Sequence, residues 1–335
     1  MLGVLVSGIT GFAKKIIQSN KALDTLNYDL ANMGEFSNLF EHEKMLSDYI
    51  RVNTYCNAIR EHLKPGDSAI DLGTGTGILS LFAARQGARV FAIDHSKFIR
   101  VAQKIAQKNG IDNIRFIRSN SRRFTPPENV DFIIHEQMGD DLFNENMIQN
   151  LLDLKQRVLK KTGKILPGRF MLFLEPVAIK ENYRVPFIWE KPVSVSGLPQ
   201  EVDFGFLRDL PEAKEFQPPG YNRHFVDEAS LDFFLGEPEP IMTFDLNEID
   251  SAKEIPMHWE AKRLVIRPGG LDGFCLFFGA DFGKGIQFDT RPGRTCWANR
   301  LFRIPRKEYG QGETIKFSVK AVDLRRSYTW TFTID

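Results

Sequence analysis

The chain has 335 residues, enough for two domains, and 42% of them are hydrophobic, so it can bury a large core. Its formal net charge is +1 and no long block of like charges occurs, which disfavours a dedicated nucleic-acid binder. The three cysteines, Cys56, Cys275 and Cys296, are odd in number and widely spaced, which predicts a reducing, cytoplasmic setting without disulfides or a metal site.

The first ten residues are apolar, but they are too few to cross a bilayer and no basic region precedes them. We therefore expect no membrane partner. The pattern predicts an amphipathic helix within an N-terminal helical segment, residues 1–40, that packs on the body of the protein or on a partner.

From residue 68 onward, short apolar runs alternate with helical patterns. The predicted strands cover residues 68–72, 89–93, 114–117 and 130–134, and the predicted helices cover 78–87, 98–105 and about 144–160. In the second of these helices the expected apolar face consists of Phe98, Val101, Ala102 and Ile105. Strands separated by helices predict a parallel sheet covered on both faces, an α/β Rossmann-like domain over residues 41–172.

The second half of the chain changes character. Residues 181–240 hold many Pro and Gly residues, which indicates an inserted arm, and strands with two-residue alternation follow. The residues expected to share one face are Ile315, Phe317, Val319 and Ala321 and, in the last strand, Tyr328, Trp330, Phe332 and Ile334. Such strands without intervening helices favour an antiparallel sandwich or barrel, assigned to residues 173–335, just beyond Leu166-Pro167-Gly168.

A glycine-rich loop follows the first predicted strand. Gly73, Gly75 and Gly77 lie where a strand ends and a helix begins, so backbone amides and the helix dipole face a ligand there. Asp94 ends the second strand, 21 residues after Gly73, where an acidic side chain can accept both ribose hydroxyls. A tight turn would explain the glycines alone, but with Asp94 the pattern predicts a nucleoside site. A dinucleotide fingerprint would require glycine where Ile78 stands, which disfavours an oxidoreductase.

Two glutamates follow the fourth predicted strand, Glu136 and Glu145, with eight residues between them. A guanidinium keeps its proton to above about pH 12, so its nitrogens are poor nucleophiles at neutral pH. Two carboxylates can hold its planar fork and draw positive charge from one nitrogen, which makes a guanidinium the best candidate substrate. As an alternative, Glu145 follows a possible N-cap, Asn144, and complements a helix dipole. His135 is expected to point away from the site, since neighbours on a strand face opposite sides.

Both motifs resemble those of known enzymes. The sequence from Ile70 to Leu79, Ile-Asp-Leu-Gly-Thr-Gly-Thr-Gly-Ile-Leu, resembles the first motif of class I methyltransferases, which use S-adenosylmethionine. The loop from Glu136 to Glu145 resembles the double-glutamate loop of the protein arginine methyltransferase family, and His42 to Arg51 is similar to the helix before that family's cofactor domain. The resemblance is specific over residues 39–177 and weaker beyond, as for a divergent, bacterial-type member.

The resemblance implies an S-adenosylmethionine-dependent N-methyltransferase acting on a guanidino group, with arginine in a protein or peptide, free arginine or a small guanidino metabolite as acceptor. A β-barrel domain is also implied, with a helical dimerisation arm at about residues 182–210 and hence a homodimer. The implied catalytic residues are Glu136 and Glu145, and the implied substrate-binding residues are Met45, Asp48, Met138 and Trp297. The implied cofactor-binding residues are Arg51, Asp71, Gly73, Gly75, Gly77, Asp94, Asn120 and Ser121.

Two departures from the family pattern concern the adenine contact and the substrate entrance. Arg122 stands where the family usually has an acidic residue, so Asn120 or Ser121 is expected to contact the base. Cys296 replaces the histidine of the family's Thr-His-Trp loop, which would pair with an acid matching Asp48. This change keeps open a catalytically silent scaffold or a non-guanidino acceptor. Base methyltransferases commonly carry Asn/Asp-Pro-Pro-aromatic where this chain has His-Glu-Gln-Met, which disfavours them.

Overall fold

The computed structural model describes Leu23 and residues 39–187, 189–190, 202–211 and 224–335. Apart from Leu23, Leu39 and Phe40, the predicted N-terminal segment lies outside the described residues. So do Ile188 and residues 191–201 of the predicted arm, whose described part contains one 3-10 turn, Gly205–Arg208. Within the described ranges, no helix is both long enough and apolar enough to cross a membrane.

The first half of the chain forms a parallel sheet of five strands in the order β3-β2-β1-β4-β5. Its strands are β1 Ser68–Leu72, β2 Arg89–Asp94, β3 Ile114–Arg118, β4 Val130–His135 and β5 Leu159–Leu166. The helices of this half are α1 Leu39–Ser47, α2 Tyr49–His62, α3 Ile78–Arg85, α4 Ile99–Lys108 and α5 Met147–Val158. Every residue of β1 is buried, as a central parallel strand requires. The predicted Rossmann-like sheet is confirmed.

Two helices of this sheet differ from their predicted form. Helix α4 begins at Ile99, so Phe98 is its N-cap, and its buried face consists of Ile99, Ala102 and Ala106. Val101, predicted to lie on that face, is 40% exposed. The prediction holds for Ala102 and is wrong for Val101, because the buried stripe runs from Ile99 at spacings of three and four residues. Helix α5 begins at Met147 rather than near residue 144, which leaves the residues before it in a loop.

The second half forms antiparallel sheets. Its strands are β6 Arg169–Ile179, β7 His224–Val226, β8 Leu231–Phe234, β9 Pro240–Asp245, β10 His258–Leu264, β11 Gly269–Asp281, β12 Gln287–Asp289, β13 Asn299–Tyr309, β14 Thr314–Lys320 and β15 Thr331–Ile334. One sheet has the order β7-β13-β11-β6-β8, with β9 on β6 and β12 on β11; the other has the order β10-β14-β15. The change from parallel to antiparallel pairing therefore falls between β5 and β6. The predicted succession of a parallel sheet and an antiparallel domain is confirmed.

The alternation predicted for β14 is present, since Ile315, Phe317, Val319 and the following Ala321 are all buried. The last strand is shorter than predicted because a 3-10 turn, Ser327–Thr329, precedes it. Trp330 lies between this turn and β15 and is fully buried, with its ring 5.5 Å from that of Trp259. The larger of two hydrophobic clusters runs through both halves of the described chain and includes Met138, Leu142 and Phe143 of the loop after β4.

Candidate active site

The glycine loop joins β1 to α3 in backbone conformations that favour glycine. Gly73, Gly75 and Gly77 have φ angles of 75°, 51° and 85°. Asp71 lies beneath the loop: its Oδ2 accepts hydrogen bonds from Thr74 Oγ1 at 2.6 Å and from Ser80 N at 3.0 Å. Burial raises the pKa of Asp71, and its Oδ1 has no hydrogen-bond partner among the described residues. These hydrogen bonds to Asp71 therefore stabilise the conformation of the glycine loop.

A cleft opens above this loop, at the carboxyl edge of the parallel sheet. Its walls bring together residues that the sequence places far apart: Met45, Arg51, Gly73, Gly75, Asp94, Glu136 and Glu145. Asp94 Oδ2 accepts a hydrogen bond from Gly75 N at 3.0 Å, and its Oδ1 accepts one from Ser96 N at 2.8 Å. These two bonds fix the carboxylate at the end of β2, where the nucleoside prediction placed it. Gly77, by contrast, caps α3 and does not line the cleft.

His42 is a cleft residue that sequence reasoning missed. It is 4% exposed and stacks on Phe98 with ring centroids 4.0 Å apart. A Cβ atom on Gly75 would lie 3.1 Å from His42 Cε1, so a larger residue there would require His42 to shift by a few tenths of an ångström. Gln137, Tyr55 and Ser96 line the cleft as well. His42 and Tyr55 reach the cleft because α1 and α2 pack on the loop, whereas Ser96 and Gln137 closely follow β2 and β4.

Arg51 and Glu136 form an ion pair inside the cleft. Arg51 Nη1 lies 3.2 Å from Glu136 Oε1, with the two side chains 8% and 21% exposed. Arg51 Nη2 also donates a hydrogen bond to the Met45 carbonyl at 2.7 Å. Burial by itself would lower the pKa of Arg51, but the acidic groups around it, Glu136 first among them, together outweigh burial and raise the pKa. Burial raises the pKa of Glu136, and Arg51 opposes that rise, so the ion pair favours an ionised Glu136.

Glu145 lies in the loop before α5, not in the first helical turn. The helix begins at Met147, and Asn146, its N-cap residue, has a φ angle of 55° and makes no side-chain capping bond. The part of the alternative in which Asn144 caps the helix is therefore wrong, and Glu145 lies one residue before the actual N-cap. Asn144 instead accepts a hydrogen bond from Asp141 N at 3.2 Å, inside what we call the glutamate loop, residues 136–145.

The antiparallel half reaches the site through the segment Cys296–Trp297. Asp48 caps α2 by accepting Arg51 N at 3.0 Å, and its other oxygen accepts Cys296 N at 2.9 Å. Trp297 Nε1 donates to the Met138 carbonyl at 2.6 Å. Of the predicted substrate-binding residues, Met45 lines the cleft, whereas Asp48, Met138 and Trp297 tie its walls to the second half. Burial raises the pKa of the Cys296 thiol to about 12.

Asn120 and Ser121 line a smaller polar cleft beside Asp94 and Gly73, together with Gln137 and Asn150. Asn120 Oδ1 accepts a hydrogen bond from Arg122 N at 3.0 Å. The two residues thus lie next to Asp94 and Gly73, and their predicted contact with the base stays a prediction.

His135, at the end of β4, points away from the cleft. Its Nε2 lies 3.0 Å from the Pro167 carbonyl, and the side chain is fully buried. Burial lowers its pKa to about 4, so the imidazole is neutral at physiological pH. The carbonyl of the same residue accepts a hydrogen bond from the Tyr55 hydroxyl at 2.8 Å. This position matches the structural role predicted from strand alternation.

Comparisons with known proteins agree with this geometry. A family model described as a methyltransferase domain matches residues 63–182. The chain is 37% identical over 162 residues to the probable protein arginine N-methyltransferase 6.2 of Oryza sativa subsp. indica. The aligned region covers 47% of this chain and 41% of the rice protein. The chain thus spans less than half the length of this relative. This chain is also 28% identical over 294 residues to protein arginine N-methyltransferase 6 of Danio rerio. That alignment covers 85% of this chain and 82% of the relative.

Two solved structures share the fold over most of the chain. The protein arginine methyltransferase 10 of Arabidopsis thaliana has a TM-score of 0.70 and 25% identity, covering 88% of this chain and 92% of its own. The PRMT1 enzyme-prozyme complex of Trypanosoma brucei, solved with AdoHcy, has a TM-score of 0.72 and 23% identity. The match covers 90% of this chain and 94% of the matched chain. The chain is thus similar to protein arginine N-methyltransferases over most of its length, and residues 63–182 match a methyltransferase domain.

Proposed function

We propose that this chain is an S-adenosylmethionine-dependent N-methyltransferase that modifies the guanidino group of arginine in a protein or peptide. The observation that carries the proposal is that Glu136 and Glu145 line the same cleft as the glycine loop and Asp94. Similarity to protein arginine N-methyltransferases supports the same activity. Free arginine and small guanidino metabolites offer the same reacting group and are tested beside peptides.

In the proposed reaction, Glu136 and Glu145 accept hydrogen bonds from the planar guanidinium. The fork of N–H donors matches two carboxylates, and such charge-assisted bonds fix its orientation. By drawing positive charge toward the nitrogens that they contact, the carboxylates leave a lone pair available on the remaining nitrogen. Arg51 helps to keep Glu136 ionised for this role, because its guanidinium lies 3.2 Å from the Glu136 carboxylate. Positioning and fixed charge contribute most of the expected acceleration.

The other end of the cleft fits S-adenosylmethionine. Asp94 presents a carboxylate for the ribose hydroxyls, and Gly75 leaves open a space that a side chain would fill against His42. Arg51 is a buried cation for the cofactor carboxylate, and Asp71 holds the loop from below. Asn120 and Ser121 are assigned to the adenine, and Met45, Asp48, Met138 and Trp297 to the substrate side. When bound, the cofactor supplies an electrophilic methyl group.

The function is tested by methyl transfer from labelled S-adenosylmethionine to arginine peptides, free arginine and a cell lysate, read by mass spectrometry. Wild type is compared with Glu136→Gln and Glu145→Gln. We expect wild type to methylate a guanidino nitrogen. The rate should fall at least about 100-fold in each variant, because each loses a carboxylate charge that contacts the acceptor. Cofactor binding should persist in both variants. Transfer that survives both changes would overturn the assignment of the glutamates, and transfer to no acceptor would favour a silent scaffold.

We also propose a finer architecture than the paired sheets: an N-terminal segment over residues 1–40, a cofactor domain over 41–172 and a β-barrel substrate domain over 173–335. Because β6 begins at Arg169 and, among the described residues, pairs with β8, β9 and β11 alone, the boundary between these two domains is proposed at Pro167–Gly168 rather than at residue 172. A cytoplasmic location is proposed from the cysteines, which are all free.

A helical arm at about residues 182–210 is proposed to mediate homodimer formation. The family resemblance and the Pro- and Gly-rich composition of this stretch support it. Deleting the arm should give a monomer with weakened cofactor binding. Light scattering that finds an unchanged dimer after the deletion would refute the proposal.

A further inference from the structure

Asp141 lies in the glutamate loop, four residues before Glu145, and is 4% exposed. Its carboxylate joins two elements of the antiparallel half. Oδ1 accepts a hydrogen bond from Arg300 Nε on β13 at 2.7 Å, and Oδ2 accepts one from Ser327 Oγ at 2.5 Å. A buried carboxylate whose two oxygens are both satisfied has one favourable position, so Asp141 fixes the loop to the second half of the protein.

A second contact holds the other side of Glu145. Asn146 Oδ1 accepts a hydrogen bond from Arg325 Nη1 at 3.1 Å. Arg325 is itself oriented by Asp323, whose Oδ2 lies 2.9 Å from Arg325 Nη2. We call residues 323–327, which supply both Arg325 and Ser327, the clamp segment. The clamp segment is anchored in the core, because the fully buried Trp330 donates its indole N–H to the Asp323 carbonyl at 3.1 Å.

The backbone between these two contacts is strained. Leu142 and Asn146 have φ angles of 67° and 55°, in the left-handed region that residues other than glycine seldom adopt. Leu142 and Phe143 are almost completely buried, so their side chains also resist movement. Strained backbone of this kind persists only where surrounding contacts over-determine it, and it occurs often at active sites. The contacts to the clamp segment supply that restraint on both sides of Glu145.

We propose that Asp141 is a positioning residue for Glu145. Together with the clamp segment it holds the glutamate loop in the strained shape that turns Glu145 into the cleft. Glu145 comes from the parallel half of the chain, but its placement is set by the antiparallel half. The effect of Asp141 on kcat rests on the proposed methyl transfer, whereas its effect on the mobility of the glutamate loop can be measured without that activity.

The chain offers a matched control in Asp272, which is also 4% exposed. Asp272 Oδ1 lies 2.9 Å from Arg184 Nε and 3.4 Å from Arg306 Nη1, in the antiparallel half and away from the cleft walls. Asp141→Ala and Asp272→Ala therefore each remove a buried carboxylate with an arginine partner. Ser327→Ala removes one hydrogen bond from Asp141 and is a milder change that should fold.

The first measurement is steady-state methyl transfer to an arginine peptide. Asp141→Ala should lower kcat about 10- to 100-fold, since a misplacement of about 1 Å has an effect of that size. Ser327→Ala should lower it less, and cofactor affinity should stay within about twofold of wild type in both. Asp272→Ala should leave kcat close to that of wild type at saturating cofactor, where any effect of its partner Arg184, a residue of the proposed arm, on cofactor affinity no longer limits the rate. An equal loss of kcat in Asp141→Ala and Asp272→Ala would overturn the proposal, because general destabilisation would then explain both.

The second measurement is hydrogen exchange of the full chain with S-adenosylhomocysteine added. The amides of Leu142 and Phe143 donate to Gly139 O and Asp141 O, each at 2.8 Å, and report on the loop directly. Their exchange should accelerate in Asp141→Ala and Ser327→Ala but not in Asp272→Ala. Unchanged exchange in the first two variants would overturn the proposal. If wild type transfers no methyl group, the proposed function fails, while the exchange result still decides whether Asp141 restrains the loop.

Discussion

Arg51 Nη1 lies 3.2 Å from Glu136 Oε1, and this ion pair joins a helix that precedes the parallel sheet to the loop that follows β4. Both groups are largely buried, so each carries a desolvation cost that the other offsets. The pKa of Glu136 is raised by burial, and Arg51 is the first opposing influence. The protonation state of a proposed catalytic carboxylate thus depends on a residue also assigned to the cofactor.

Arg51→Met should move the acid limb of the pH profile of kcat/KM to higher pH. The variant removes the cation that opposes the raised pKa of Glu136, so the carboxylate ionises only at higher pH. Arg51→Lys is the control, because it keeps a positive charge near Glu136. An acid limb in the same place for wild type and Arg51→Met would mean that a group other than Glu136 controls it.

Gly75→Ala should weaken S-adenosylmethionine binding at least about tenfold, because a methyl group 3.1 Å from His42 Cε1 crowds the cleft and the φ angle of 51° is strained for alanine. Gly66→Ala is the matched control. Gly66 has a φ angle of 91°, but a Cβ there meets no atom within 4 Å. Isothermal titration compares the two variants, and an equal loss of affinity in both would mean that backbone strain alone is responsible.

Asp48→Ala should lower the free energy of unfolding by about 1–2 kcal/mol, because the side chain caps α2 and no other group replaces it. It should also lower kcat/KM, since the same carboxylate accepts the amide of Cys296 at the edge of the site. Asp48→Asn retains one acceptor oxygen and should recover most of the stability. Urea unfolding and methyl transfer measure the two effects. A variant as stable as wild type would show that the cap contributes nothing.

His135 should make the protein less stable as the pH falls from 6.5 toward about 4. The buried imidazole has its pKa lowered to about 4, so in this range the unfolded state binds a proton that the folded state does not. Stability is therefore lost as the pH falls, by roughly 3 kcal/mol if the whole shift applies. Urea unfolding across this range should show a smaller pH dependence for His135→Gln. An identical dependence in both proteins would contradict the prediction.

The parallel sheet, the glycine loop and the position of Asp94 followed from the sequence because their causes are local. A buried parallel strand requires a short apolar run, and a sharp turn beside a ligand requires glycine where φ is positive. The strand Ser68–Leu72 matches its predicted bounds, and Asp94 ends β2 as predicted. The spacing of Glu136 and Glu145 indicated a resemblance to protein arginine methyltransferases. This signal was also local, since both residues lie in one short loop.

Tertiary packing alone decided the contacts that arrange the site. Arg51 meets Glu136 because α2 packs on the parallel sheet, whereas Asp48 meets Cys296 and Asp141 meets Ser327 because the two halves of the chain pack together. The loop before α5 likewise takes its shape from partners far away in sequence, so neither the helix start at Met147 nor the left-handed Leu142 was visible in local propensities. Sequence patterns encode what neighbouring residues do to one another, whereas the free energy of a buried charge depends on whichever distant group the fold places beside it.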